Sequence, residues 1–189
     1  MDHQGIAKLL NARQRRTIPD EGRPRAAVLL VLYGPNPDYR VLYTVRSYEV
    51  EHHKGEISFP GGVRDPEDRS EIDTALRETY EEIGIDREDV QVLGLLDDVV
   101  TRSNFVVTPV VGSVDKHPYR FRLFETEVAE LLEVPLSHLT DTANHVPHPG
   151  RPAGEQPPFP SYRFGEHVIF GATALITTRF LNTVPGIVP

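Results

Sequence analysis

Cysteine is absent from this chain of 189 residues, which excludes disulfides, thiolate zinc sites and thiol nucleophiles together. No apolar stretch approaches the ~18 residues that a membrane span requires. The opening segment MDHQGIAKLLNARQRR has no long apolar core of the kind that marks a secretory signal, so the cytoplasm is the expected location and no membrane partner is expected. Positive charge is scarce as well: 20 Lys and Arg stand against 28 Asp and Glu, a formal net charge of −8. Sequence-independent binding to a nucleic-acid backbone relies on clustered Lys and Arg, and this balance argues against it. Phosphorylated small molecules stay open, because a cation held by acidic side chains inverts the local field. Hydrophobic content of 39% and charged content of 25% are those of an ordinary globular protein. The length suits one domain, spanning residues 1–189, better than two.

The most informative stretch is Arg77-Glu78-Thr79-Tyr80-Glu81-Glu82-Ile83-Gly84, preceded by Gly61-Gly62. Read as a helix, it puts Glu78, Glu81 and Glu82 at i, i+3 and i+4, on one stripe. At about 100° per residue, Ile72, Ala75, Leu76, Thr79 and Ile83 gather on a different, apolar stripe. Like charges at these spacings cost a helix roughly 0.2–0.5 kcal/mol per pair, and no Lys or Arg is expected to face them. A divalent cation offsets that repulsion most simply, since Mg²⁺ favours oxygen ligands shared with substrate phosphates. Ser70 with Asp73 resembles a capping box, and Gly84 a C-terminal stop. Gly61 and Gly62 read as a tight turn, free of side chains, that lets backbone approach a cation.

Elsewhere, residues 5–16 read as a short amphipathic helix and 17–25 as a linker, together an N-terminal helix and linker over 1–25. Ala26–Tyr33 is a continuous apolar run expected to be a buried strand. The turn signal Gly34-Pro35-Asn36-Pro37-Asp38 then leads to a second strand, Tyr39–Arg46. Further strands are expected at Gly55–Phe59, Val90–Leu96, Phe105–Val114 and Tyr119–Phe124, with Asp97–Asn104 as a polar connection. Val128–Leu136 reads as strand or extended chain before a turn at Ser137-His138-Leu139. Residues 141–160, rich in Pro, Gly, His and Asn, read as a long surface loop. A hairpin over Tyr162–Phe170 and a closing helix over Gly171–Val184 complete the pattern. Strands and helices mix without βαβ alternation, so the expected class is α+β with a mixed sheet.

The acidic run resembles the signature of the Nudix hydrolase family, G-x5-E-x7-R-E-U-x-E-E-x-G-U, where U is bulky and aliphatic. Three positions depart from it: the Gly62-to-Arg77 spacer is one residue longer, Asp68 stands for the early Glu, and Thr79 replaces the first aliphatic residue. A second motif lies upstream. Leu42, Thr44, Arg46, Ser47, Gly55 and Phe59 to Gly62 match the L-L-T-x-R-[SA]-x3-R-x3-G-x3-F-P-G-G pattern of the coenzyme A diphosphatase branch. Tyr43 replaces its second Leu and Glu51 its second Arg; His52, His53 or Lys54 are candidates to compensate for that charge.

The resemblance implies an α/β/α sandwich and a metal site for Mg²⁺ or Mn²⁺ made by Gly61, Glu78, Glu81 and Glu82. It implies a catalytic Glu (Glu78 paired with and oriented by Arg77), with the base being one of Glu78, Glu81 and Glu82 or else Glu127, itself a further candidate ligand, and substrate contacts from Arg46, Ser47 and Phe59. The implied substrate is a small-molecule nucleotide, coenzyme A or its thioesters; ADP-ribose or a dinucleotide is the second reading and a non-catalytic nucleotide-binding module the third. A homodimer is an admissible assembly. The basic clusters Arg13, Arg15, Arg16 and Arg23, Arg25 read as solvated rather than as contacts to a 3′-phosphate.

Overall fold

The computed structural model describes residues 1–47 and 55–187. Helix α1 (His3–Ala12) is followed by strands β1 (Arg25–Tyr33), β2 (Arg40–Arg46), β3 (Ile57–Ser58) and β4 (Gly61–Val63), and then helix α2 (Glu71–Ile83). Strands β5 (Gln91–Leu95), β6 (Val99–Val100), β7 (Val106–Val114) and β8 (Val128–Pro135) lead into the short helix α3 (Leu136–Thr140). Strands β9 (His145–Val146), β10 (Ser161–Phe164) and β11 (His167–Ile169) precede the closing helix α4 (Gly171–Thr183). The main sheet follows the path β3-β2-β1-β7-β5, with β4 added to β1, β6 to β7 and β8 to β2. Strands β1 and β7 are parallel and the other pairs antiparallel, so the sheet is mixed, as expected. A smaller antiparallel sheet runs β11-β10-β9.

The uninterrupted apolar run of β1 follows from its position between two cores. Side chains alternate across a strand: Ala27, Leu29, Val31 and Tyr33 pack against Ala75, Leu76 and Ile83 of α2. Leu30 and Leu32 point the other way, into a cluster with Ile6 and Leu10 of α1 and Ala174, Ile176 and Phe180 of α4. Helices therefore cover both faces, which is the α/β/α layering. Among the described residues no helix is long and apolar enough to cross a membrane.

Several expectations need correction. Helix α1 begins at His3, because the Asp2 side chain accepts the Gly5 amide as an N-cap, and it ends before the arginine run. Residues 119–124 are not a strand. The amides of Arg122 and Phe124 donate to the carbonyls of Ile83 and Glu82 (3.0 and 2.9 Å), so this segment satisfies the open C-terminal end of α2 instead of a sheet edge. The polar connection 97–104 contains β6, and the turn at 137–139 is the helix α3. The segment 141–160 is partly ordered by its own polar groups: Asp141 caps a 3₁₀ turn at Thr142–Asn144, β9 pairs with β10, and His148 is buried. Gly61 and Gly62 lie in β4, paired with Val28 and Ala27, rather than in a turn.

Candidate active site

The glycine pair is required by two close approaches. A Cβ on Gly61, whose φ is +155°, would stand 2.6 Å from the Val28 Cα. A Cβ on Gly62 would stand 2.5 Å from both carboxylate oxygens of Glu78. Strand β4 and helix α2 thus press Glu78 onto bare backbone. Helix α2 starts at Ser70, whose Oγ accepts the Asp73 amide at 3.2 Å, and stops at Gly84, where φ is +70°. Thr79, at the position where the signature wants an aliphatic residue, is buried and returns its hydroxyl to the Ala75 carbonyl (2.6 Å). Its polar atom is satisfied without a partner outside the helix.

Arg77 organises the acidic stripe, so the expectation that no cation faces these glutamates is wrong. Its Nη1 donates to Glu78 Oε1 (2.8 Å) and to Glu81 Oε2 (3.0 Å), an i,i+4 pair. The rest of the guanidinium is held from behind: Nε and Nη2 donate to the two oxygens of Asp68 (3.1 and 3.0 Å), and Nη2 also to the Val63 carbonyl (3.1 Å). Asp68 accepts further bonds from the Asp65 amide and the Thr74 hydroxyl. The bonds from Arg77 hold its carboxyl at about 2, well below the ordinary 3.8. The residue that departs from the signature is therefore the anchor of its arginine, a role that spacing alone does not reveal.

Glu82 is buried, 5% exposed, rather than part of a solvated stripe. The backbone amide of Gly61 favours its ionised form, while Oε2 is buried with no hydrogen-bond partner among the described residues. Burial, together with the charge of Glu78, pushes its carboxyl up to about 8. Glu78 is raised as well, by burial first, against the opposing pull of Arg77. Glu127 adds negative potential at both carboxyls, and Arg46 opposes it at Glu82. Strand pairing explains this convergence. Strand β8 runs antiparallel to β2 with a bulge at Val45/Arg46, and the Ser47 amide donates to the Glu127 carbonyl at 2.8 Å. Arg46, Ser47 and Glu127 thereby meet the end of α2.

Two expected residues stand differently. Phe59 is 2% exposed and packs on Tyr43, ring centroids 4.8 Å apart, inside the core; it holds β3 and β4 in place rather than facing a substrate. Ser47 is buried at the strand end. Glu51, His52, His53 and Lys54 lie outside the described residues. The basic clusters are not simply solvated: Arg13 pairs with Asp97, Arg15 and Arg25 with Asp98, and Arg23 with Glu21.

Among the described residues no three carboxylates or histidines yet surround one point; Arg77 holds Glu78 and Glu81 through a single nitrogen. The donor chemistry nonetheless fits a hard divalent cation. Oxygen ligands are concentrated here, one buried oxygen lacks a partner among the described residues, and bare glycine backbone adjoins them.

Comparison with known proteins agrees with this geometry. The NUDIX domain profile matches residues 23–148, and the chain belongs to the Nudix family, enzymes that hydrolyse nucleoside diphosphates linked to another group. Among its relatives, the mitochondrial coenzyme A diphosphatase NUDT8 of Mus musculus is 39% identical over 194 residues, covering 98% of this chain and 89% of that protein. The uncharacterised Nudix hydrolase NudL of Photorhabdus laumondii is 36% identical over 175 residues, 89% of each chain. In fold, the chain is similar to the crystal structure of RenU, a Nudix hydrolase from M. smegmatis, with a TM-score of 0.59 at 21% identity over 88% of both chains.

Proposed function

We propose that this enzyme hydrolyses the phosphoanhydride of coenzyme A or its thioesters to 3′,5′-ADP and 4′-phosphopantetheine, using Mg²⁺ or Mn²⁺. The observation that carries the reading is the meeting of Arg46 and Ser47, from the upstream motif, with Glu78, Glu82 and Glu127 at one end of α2. The stretch that resembles the motif of the coenzyme A branch and the helix that carries the acidic run adjoin. The similarity to NUDT8, named a coenzyme A diphosphatase, supports the same substrate.

Cleaving a phosphoanhydride needs a positioned water, an in-line approach and positive charge on the phosphoryl oxygens. Gly61, Glu78, Glu81 and Glu82 would hold the cation, which supplies that charge when bound. Arg77, gripped by Asp68, fixes the Glu78 carboxylate against Gly62. Glu78 or Glu127 takes the proton of the attacking water, and Arg46 faces the diphosphate. Purified protein with Mg²⁺ is expected to turn over coenzyme A in preference to ADP-ribose and NADH. Turnover of the latter pair alone would replace this substrate with the second reading. Mass spectrometry of products formed in ¹⁸O-labelled water reports which phosphorus is attacked.

A further inference from the structure

The turn that delivers Glu127 also displays an unexplained aromatic ring. Phe124 is 53% exposed, in a protein whose other phenylalanines are at least partly buried. Along 119–124 the neighbouring Phe121 and Leu123 pack into the cluster beneath α2, but Phe124 turns outward. Its backbone is clasped on both sides. The Phe124 amide donates to the Glu82 carbonyl (2.9 Å), and its carbonyl accepts the amides of Glu127 and Val128 (2.8 and 2.9 Å). The Glu127 carbonyl in turn accepts the Ser47 amide. An apolar ring on a pinned turn, between the catalytic helix and the motif strand, loses little entropy when a ligand covers it.

Charge says which part of a ligand that is. Glu125 stands next to the ring on the same turn and is exposed, so a phosphate is better received on the Arg46 side of the turn, beyond Glu127. The ring suits a neutral, planar group.

We propose that Phe124 is a stacking platform for the nucleobase of the substrate. This rests on the reading of the site as a nucleoside-diphosphate hydrolase and adds the subsite for the base. The chain contains no tryptophan, so Phe124→Trp introduces a lone tryptophan at the platform, whose fluorescence is excited selectively over that of the tyrosines.

Stacking predicts that 3′,5′-ADP quenches that fluorescence saturably while 4′-phosphopantetheine does not. Phe124→Ala is expected to raise the KM for coenzyme A about tenfold, the effect of one aromatic–base stack, with the loss falling in KM rather than kcat. Phe124→Tyr restores it and Phe124→Leu does not. Val100→Ala, which removes another exposed apolar side chain on β6, leaves KM as in the parent.

An unchanged KM in Phe124→Ala, or quenching by 4′-phosphopantetheine alone, overturns the proposal. So does sedimentation showing that Phe124→Ala converts an oligomer to monomer without altering KM, since the ring would then cover a second copy of the chain. If the parent protein hydrolyses no nucleoside diphosphate derivative while 3′,5′-ADP still quenches the tryptophan, the catalytic reading fails and the base subsite stands.

Discussion

At Gly62 the hydrogen that stands in place of a side chain leaves room for the Glu78 carboxylate, and a methyl there would meet both oxygens at 2.5 Å. Gly62→Ala is expected to push Glu78 aside and lower kcat on the order of 100-fold, as small displacements in a reacting geometry do. Circular dichroism should show the fold retained. Asp68 makes a separate prediction in pH. Its carboxyl titrates at about 2 in the folded protein against an ordinary 3.8, chiefly because Arg77 donates to it. A folded value below the unfolded one means that the ionised form stabilises the native state. That contribution is complete above the unfolded value and is lost as pH falls from about 4 through about 2. Urea midpoints of the parent and Asp68→Asn should therefore differ at pH 6 and converge toward pH 2. At this scale the spacing marks Glu78, Glu81 and Glu82, and the resemblance to the family signature marks Arg77. Neither gives a sign that Glu82 is buried or that Asp68 grips Arg77, because the first depends on how β2, β4 and the turn before β8 close on the end of α2 and the second on how the 63–70 connection folds back.

Helix α2 is defined at both ends by residues whose chemistry is local, which is why its limits can be read from the chain. Ser70 supplies the N-cap, and Ser70→Ala is expected to cost about 1 kcal/mol in chemical denaturation. Gly84 ends the helix in the left-handed region, and a Cβ there would also stand 2.9 Å from the Arg122 Cβ. Gly84→Ala should cost about 1–2 kcal/mol and lower the midpoint of a thermal melt. The segment 119–124 shows the opposite case. Alternating charged and aromatic residues suit a strand, yet its amides are used by the end of α2, a tertiary demand that no local pattern announces. The two-residue strands β6 and β9 are likewise too short for periodicity to reveal.

On the scale of the whole molecule, two layers of helix clamp a sheet whose central strand β1 serves both cores. That layering is legible in the uninterrupted apolar run of β1, whereas the polar ties that close the molecule join residues about 80 positions apart and leave no trace in a local window. Chief among them is Asp98. Its side chain is fully buried, paired with Arg15 and Arg25 and accepting bonds from the Ile18 amide and the Thr108 hydroxyl. Breaking a buried pair by removing one partner leaves the other charge uncompensated. Asp98→Ala is expected to destabilise the protein by about 3–5 kcal/mol, read from the urea midpoint.

The same tie bears on how small a working version of this enzyme can be made. Residues 23–148 suffice to recognise the family, yet a polypeptide trimmed to that stretch would forfeit Arg15 and the Ile18 amide while keeping the carboxylate they neutralise. It would also strip α1 and α4 from one side of the sheet, baring the apolar faces of Leu30 and Leu32. Such a trimmed protein is expected to aggregate on expression, and the flanking sequences are structural members of the enzyme rather than dispensable tails.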